Sequence, residues 1–331
     1  MAALAPQPIG QSDAFMAVLD RVSDLAVIEK PILVVGAHGT GKELMASRLH
    51  FLSQRWEQVY VSVNCAAYSE AALDIELFGN SDTDGQFFEA NGGTLFLDNI
   101  QAVSLRLQEK LIRAIEYGRF ENRGRASQDI DVRVIAATHI DLPEAVKAGA
   151  FRADLLYSLA FDVLTLPPLR ARADDIMALT EHFGKKIAAE LGAPSFPGVS
   201  AEAAQTLMGH SWTGNIRELK SVIERSTARA WFLDESLTAP ISDLIFNPFS
   251  GAYLSDDSEA PSDLTIEAAP QETEDSSVST KAFAERVMIF ERGLIDEAMR
   301  VSDHHQGRAA KHMGLTYHQF RGLLRKHGLK K

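Results

Sequence analysis

Gly36-Ala-His-Gly-Thr-Gly-Lys42 is the stretch that decides how the rest of the chain is read. It matches G-x-x-x-x-G-K, the pattern of a phosphate loop. The glycines let backbone N–H groups curl around phosphate oxygens, and the lysine sets a cation against the β- and γ-phosphates of a nucleoside triphosphate. The flanks agree with this. Pro31-Ile-Leu-Val-Val35 is a short β-branched run that predicts a strand, and Leu44, Met45, Leu49 and Leu52 recur at helical spacing after the loop. The N-terminus of that helix adds a dipole that favours anions. The nucleotide-holding residues are therefore Gly36, Ala37, His38, Gly39, Thr40, Gly41, Lys42 and Glu43, with ATP the expected ligand. Glu43 stands where Ser or Thr is usual, so the hydroxyl that often helps to hold magnesium is missing.

Working outward, Gly92-Gly-Thr-Leu-Phe-Leu-Asp98 is an apolar strand ending in a carboxylate, the arrangement of a Walker B segment. Asp98 is expected to hold Mg2+ through its water shell. Further apolar runs at Val59–Val63, Val132–Ala137 and Phe161–Leu166 are separated by helical stretches. That alternation predicts an α/β domain with a mostly parallel sheet. From Asp174 to Ala230 the pattern is helical only, which suggests a small α-helical lid. The expected organisation is an α/β nucleotide-binding domain over 1–172, a lid over 173–246, an acidic linker over 247–280 and an all-α DNA-binding domain over 281–331.

Composition narrows the class. The 331 residues carry a net charge of −12, with 46% hydrophobic and 24% charged residues, enough apolar matter for a sizeable core. No apolar run approaches the ~18–20 residues of a membrane span. Met1 to Ser12 lacks the basic head and apolar stretch of a signal peptide. Cys65 is the only cysteine, which excludes an internal disulfide or a thiolate zinc cluster and fits a reducing cytoplasm. Charge is unevenly spread. Gly251 to Thr280 holds eight acidic residues and no Lys or Arg, a composition that cannot offset the entropy of ordering. His304 to Lys331 holds seven Lys or Arg, five His and no acid. A basic end on an acidic chain points to a local polyanion-binding module, with a merely solvated basic helix as the alternative.

That end has helix-turn-helix spacing. Gln306 to Met313 reads as a helix, Gly314-Leu-Thr316 as a turn with Thr316 able to cap, and Tyr317 to Lys326 as a second helix. Phe320, Leu323 and Leu324 fall on its inward face, while Tyr317, His318, Gln319, Arg321 and Arg325 fall outward, where a recognition helix meets the major groove. Lys326, Lys330 and Lys331 suit backbone phosphate. A protein-binding helical hairpin is the alternative. Helical spacing around Phe283–Met299 suggests a helix that pairs two such units on a near-palindromic site. Trp56, in a polar stretch, is either partner-facing or an ordinary half-buried Trp. His304 and His305 adjoin basic residues and need no metal.

Taken with Glu76-Leu-Phe-Gly79, Val63-Asn-Cys-Ala-Ala67, Phe151-Arg-Ala-Asp-Leu-Leu156, Leu166-Pro-Pro-Leu-Arg170 and Trp212-Thr-Gly-Asn-Ile-Arg-Glu-Leu219, these motifs resemble the AAA+ transcription activators that act on sigma-54 RNA polymerase. Gly314 to Leu324 is similar to the phage-shock branch of that family, whose terminal domain is a Fis-type helix-turn-helix. The resemblance implies ATP hydrolysis in a ring, binding to a double-stranded DNA enhancer, a dimeric or hexameric homo-oligomer, contact with sigma-54 polymerase and control by a trans-acting phage-shock inhibitor protein.

Four positions depart from it. The sigma-54-contacting loop Gly-Ala-Phe-Thr-Gly-Ala is replaced by the shorter Asn80-Ser-Asp-Thr-Asp-Gly-Gln-Phe-Phe88, whose two Phe are expected in a strand or the core. The family's water-polarising Glu is Asn99, and losing a general base costs ~10²–10⁴ in rate. Of two trans-acting arginine fingers Arg152 stands, but the second position is Ser158, and a missing finger costs ~10³–10⁵. The sensor asparagine is His139. Arg217 of the lid and Asn64, which in the family restrains the absent Glu, are retained. The substitutions are lopsided: groups that hold nucleotide survive, and groups that spend it are replaced. The expectation is an ATP-binding, DNA-binding regulator with weakened hydrolysis and sigma-54 contact. Alternatives are a working sigma-54 activator, and a nucleotide-gated scaffold or repressor independent of sigma-54.

Overall fold

The computed structural model describes residues 7–120, 128–234 and 236–249, together with 292, 294–296, 298–302, 305–313, 320–321, 323–324 and 327. The chain divides into two compact units, Met1–Ser255 and Asp256–Lys331.

The first unit is built on a five-stranded sheet in which every pairing is parallel. Its strands are β1 Ile32–Val35, β2 Tyr60–Asn64, β3 Thr94–Asp98, β6 Arg133–Thr138 and β7 Asp162–Thr165, in the order β2-β3-β6-β1-β7. A short hairpin of β4 Arg119–Phe120 and β5 Gln128–Asp129 stands apart. The three central strands are buried almost throughout, whereas β2 and β7 at the edges are half-exposed. Helices cover both faces of such a sheet, so its inner strands read as continuous apolar runs without alternation. One face packs Leu33, Val63, Leu95, Leu97, Val134 and Ala136 against α3 Glu70–Phe78, α5 Leu105–Tyr117 and α7 Ala153–Leu159. The other packs Ile32, Val34, Phe96 and Ile135 against α1 Asp13–Ala26 and α2 Lys42–Phe51.

Phe87 and Phe88 lie on the one-turn helix α4 Gln86–Glu89, so a strand is not what forms there. Phe87 is fully buried and stacks on Phe78 with ring centroids 5.4 Å apart, the core role expected of it; Phe88 is exposed. Leu52, assigned by spacing to the apolar face of α2, sits one residue past the helix and is exposed.

One buried charge ties layers together. Arg133 on β6 donates to Leu49 O at 3.1 Å and to Leu25 O at 2.9 Å, near the C-terminal ends of α2 and α1, where helix carbonyls lack partners. A six-residue helix α6 Leu142–Lys147 follows β6, capped by Asp141.

The lid consists of α8 Asp175–Glu190, α9 Ala201–Gly209 and α10 Asn215–Leu233 around Leu169, Ile176, Leu179, Leu207, Trp212, Leu219, Val222 and Ile223. Trp212 is fully buried and donates its indole N–H to Leu207 O at 2.9 Å. The N-terminal segment is fastened to the lid by Asp175, which accepts from Gln11 N (2.6 Å), Ser12 N (2.8 Å) and Ser12 Oγ (2.8 Å).

In the second unit, Ile295, Ala298, Ala309, Ala310, Phe320 and Leu324 form a small buried cluster. Helix α11 Gln306–His312 begins at His305, whose Nδ1 accepts from Arg308 N. Phe320 and Leu324 face inward as their spacing suggested, and Arg321 is exposed.

His50 on α2 is buried and hydrogen-bonded through Nδ1 to Thr94 Oγ1 at 2.9 Å. Burial first, and Arg133 second, hold its pKa below the ordinary histidine range against a backbone hydrogen bond that raises it. The unfolded chain takes up a proton there below about pH 6.5 and the folded chain resists it, so this contribution to stability falls as pH drops through that value. Denaturant midpoints at pH 7.5 and 5.5 are expected to differ less in His50→Gln than in the parent protein.

Candidate functional site

The phosphate loop joins β1 to α2. Gly36 N donates to Thr138 O at 3.1 Å, which continues the β1–β6 ladder into the turn. Gly39 (φ +75°) and Gly41 (φ +99°) take the left-handed backbone that lets the loop reverse into the helix. The loop's carbonyls are all engaged. Lys42 Nζ donates to Gly36 O (2.8 Å) and Ala37 O (3.1 Å). His38 O accepts from Asn215 Nδ2 (2.9 Å), Gly39 O from Ile216 N (3.0 Å) and Thr40 O from Arg172 Nη2 (3.0 Å). None of the hydrogen bonds among the described residues uses the N–H groups of Ala37 through Gly41. A loop with satisfied carbonyls and available amides is an anion cradle.

Beside it lies a cavity of about 420 Å³. Gly39, Thr40, Gly41, Lys42, Glu43, Asp98 and Arg217 line its polar end, and Ile9, Phe15, Leu179 and Phe183 supply apolar wall. Burial lowers the pKa of Lys42, Asp98 opposes that shift and Arg217 adds to it, so three charges converge on one place. Arg172 is buried, with its guanidinium 4.8 Å from the Phe15 ring centroid.

Asp98 ends β3 level with Asn64 on β2. Asn99 follows in a left-handed conformation (φ +56°, ψ +48°), which asparagine tolerates better than most residues. Its Nδ2 donates to Asn64 Oδ1 at 3.1 Å and to Asp98 Oδ2 at 3.2 Å. Gln101 Nε2 donates to Asn99 Oδ1 at 3.3 Å and meets His139 Nδ1 at 3.0 Å. The His139 ring lies against the His38 ring, centroids 3.8 Å apart. Desolvation, then His38 and Lys42, depress the His139 pKa against the opposing Asp98, so its neutral form is favoured.

The residues picked out by sequence thus separate into two groups. Gly39 to Glu43, Asp98 and Arg217 share the cavity, and Gly36, Ala37, His38 and Asn99 border it. Arg152 does not line it. It stands at the N-cap of α7, paired with Asp154 through Nε–Oδ1 (3.0 Å) and Nη2–Oδ2 (2.7 Å), and this pairing lowers the Asp154 pKa. Ser158 donates to Glu116 on α5 at 2.5 Å. Cys65 is buried, and burial, with Asp98 adding, pushes its thiol up to about 12. Trp56 is about half exposed. Tyr317, His318, Gln319, Arg325 and Lys326 lie outside the described residues.

Sequence reading missed Gln101, Arg172 and Asn215 as site residues. Asn215 carried a signal, its place directly after Gly214 in the Trp-Thr-Gly-Asn-Ile-Arg run; Gln101 carried none.

A parallel α/β sheet with a phosphate loop at the β1–α2 turn and a helical lid resting on that loop defines an AAA+ P-loop domain. The sigma-54 interaction domain family matches residues 8–165, and an AAA+ ATPase lid domain matches 170–239. The chain is 44% identical over 329 residues to the Psp operon transcriptional activator of Escherichia coli (strain K12), covering 96% of this chain and 97% of that one. It is 35% identical over 318 residues to the transcriptional regulatory protein ZraR of Salmonella typhimurium, covering 93% and 66%. Among solved structures it is similar to NtrX from Brucella abortus in complex with ATP, with a TM-score of 0.69, 28% identity, and coverage of 97% of this chain and 70% of that one. The chain belongs to the sigma-54-dependent transcription activator family.

Asn215 is the joint of this site. Replacing it with Ala strands a buried N–H at Leu169 and a carbonyl at His38, on the order of 1–3 kcal/mol for each group left unpaired. Hydrogen exchange is expected to quicken across 170–239 in Asn215→Ala while the β1–β6 amides stay protected.

Proposed function

We propose that this protein is an ATP-binding, DNA-binding transcription regulator that holds nucleotide far better than it hydrolyses it. The observation that carries the reading is Asn99. It sits beside Asp98 at the edge of the nucleotide cavity, hydrogen-bonded by its amide to two oxygens. An amide orients water but cannot accept its proton. Ser158, turned to Glu116, supplies no cation to a neighbouring subunit. Support for binding comes from the anion cradle, from Lys42 and Arg217, and from an apolar wall suited to a base.

Mg2+ fits the donor set. Asp98 is a carboxylate in the cavity with Lys42, and one carboxylate plus substrate phosphates is how this ion is usually held. When bound it would neutralise phosphate charge. In the proposed division of labour the loop amides and Lys42 bind the phosphates, Asp98 positions the metal's water shell and Arg217 closes from the lid. Arg152 acts at a subunit boundary of a dimer or ring.

The basic terminal segment is the proposed reader of an enhancer in double-stranded DNA, through Tyr317, His318, Gln319, Arg321, Arg325 and Lys326 on a Fis-type helix-turn-helix. In sequence, the acidic stretch over 247–280 lies between it and the lid. The replaced loop after Gly79 leaves sigma-54 contact weakened, and a phage-shock inhibitor protein is a candidate controller in the cytoplasm. A working sigma-54 activator is the second reading, favoured by the 44% identity over nearly the full length of the Psp activator.

Calorimetric ATP binding and steady-state phosphate release on the same preparation separate the two. Binding that Lys42→Ala abolishes is expected, with turnover at least ~10² below a relative that carries the Glu. Turnover at ordinary family rates would sink the first reading. For the DNA reader, Arg321→Ala is expected to weaken enhancer binding by ~1–3 kcal/mol in a gel-shift titration if it contacts a base; unchanged affinity would remove it from the interface.

A further inference from the structure

The polar groups behind the phosphate loop form a chain whose polarity is fixed from one end. Asp98 Oδ1 accepts the backbone N–H of Asn99 at 2.9 Å, and a carboxylate only accepts, so the Asn99 atom 3.2 Å from Oδ2 is its NH₂. Asn64 gives the same answer independently. Its Oδ1 already accepts the backbone N–H of Ala66 at 3.1 Å, so the Asn99 atom facing that oxygen must again be a donor. With the Asn99 nitrogen committed on two sides, its carbonyl oxygen faces Gln101, which must present Nε2. Thr138 agrees: its hydroxyl takes the backbone N–H of Ile140 at 3.2 Å and donates to Gln101 Oε1 at 2.9 Å. The second proton on Gln101 Nε2 points to His139 Nδ1 at 3.0 Å. That nitrogen is therefore an acceptor, and the proton of the neutral ring is on Nε2.

We propose that Gln101 is a positioning residue that locks His139 as a neutral imidazole protonated on Nε2, so that the ring offers the terminal phosphate of a nucleoside triphosphate a hydrogen-bond donor and offers water no base. The proposal deepens, and for its phosphate-reading part rests on, the nucleotide-holding function above. The His139 ring lies tilted against His38 of the phosphate loop, centroids 3.8 Å apart, which places it beside the cradle. The charged or titratable groups that act on it are His38 of the loop, Lys42 of α2 and Asp98 of β3. A second proton would need Gln101 to turn, which would set its carbonyl against that of Asn99 and lose the bond to its NH₂. The only lone pair of the ring that could take a proton from water is the one Gln101 occupies. His139 consequently does not substitute for the missing Glu.

The lock is visible by ¹⁵N NMR of the histidine-labelled full-length protein, with His139 assigned from a His139→Gln variant. The parent protein is expected to show a single tautomer with Nε2 protonated and Nδ1 bare, persisting to about pH 6, where an ordinary imidazole is mostly charged. Gln101→Ala should show averaged tautomers, while the depression that burial, His38 and Lys42 impose on the His139 pKa remains. Gln101→Glu, which puts an acceptor where the donor was, should protonate Nδ1 and keep the imidazolium above pH 7. A proton on Nδ1 in the parent, or a spectrum indifferent to Gln101→Ala, would overturn the lock.

The phosphate-reading part is measured separately as the ratio of ATPγS to ADP affinity, expected to fall about tenfold in His139→Ala, the scale of one hydrogen bond to a charged group, and about twofold in Gln101→Ala, where only the tautomer preference is lost. An unchanged ratio overturns that part alone. If neither nucleotide binds the parent protein, the proposed function fails with it, and the tautomer lock is still decided by the spectra.

Discussion

The side-chain amide of Asn215 joins the two halves of the nucleotide site, with Nδ2 donating to the His38 carbonyl at 2.9 Å and Oδ1 accepting from Leu169 N at 2.8 Å. Much of the site's geometry depends on it. His38 belongs to the phosphate loop, Leu169 to the turn that leads from β7 into the lid, and Asn215 itself begins α10. It adopts φ +53° to do so. The contact leaves no spare room: a Cβ on Gly39 would stand 2.3 Å from Gly214 O. Close approach of two backbones is what lets Ile216 N reach Gly39 O, and Arg172 reaches Thr40 O from the adjoining turn. The lid thereby takes up loop carbonyls that would otherwise repel phosphate. It prepares the cradle as well as covering it.

Behind the loop the structure follows the opposite logic. Asn64, Asn99, Gln101, Thr138 and His139 are all neutral, or favoured as neutral, and each restricts the next. A carboxylate at position 99 would accept from Gln101 but could donate nothing to Asn64 or Asp98. With the amide there, hydrogen bonds connect Asp98 to His139 without interruption. Such networks are stiff when fully satisfied and costly when one member is lost.

The fold was largely legible because it rests on signals a sequence carries directly. All five sheet strands lie within a residue or so of the apolar runs that predicted them, since buried parallel strands have no polar face to break the run. Gly39, Gly41, Lys42 and Asp98 were picked out by residue type and by their places after an apolar run, and the structure brings them to one cavity. What could not be read depends on orientation. Arg172 and Arg133 look like surface cations in sequence, yet both are buried, and only the packed structure shows the helix-end and loop carbonyls they serve. Phe87 and Phe88 are adjacent and identical, and a single helical turn sends one inward and one outward. Gln101 matters only through the amide beside it and the ring 3.0 Å away, thirty-eight positions along the chain.

The substitution at 99 also bears on charge, and this makes the proposed division between holding and hydrolysing self-consistent. A nucleoside triphosphate brings several negative charges to a cavity lined by the cations Lys42, Arg172, Arg217 and Lys220 and by the carboxylates Glu43 and Asp98. A second carboxylate beside Asp98 would serve hydrolysis only by standing close to the phosphates it repels, at a partly desolvated site where like charges interact more strongly than in water. Asn99 removes that repulsion and the proton acceptor together. His139, favoured as neutral by the same surroundings, adds a polar contact without adding a charge. In the proposed role, the change that slows turnover is also one that lets nucleotide stay.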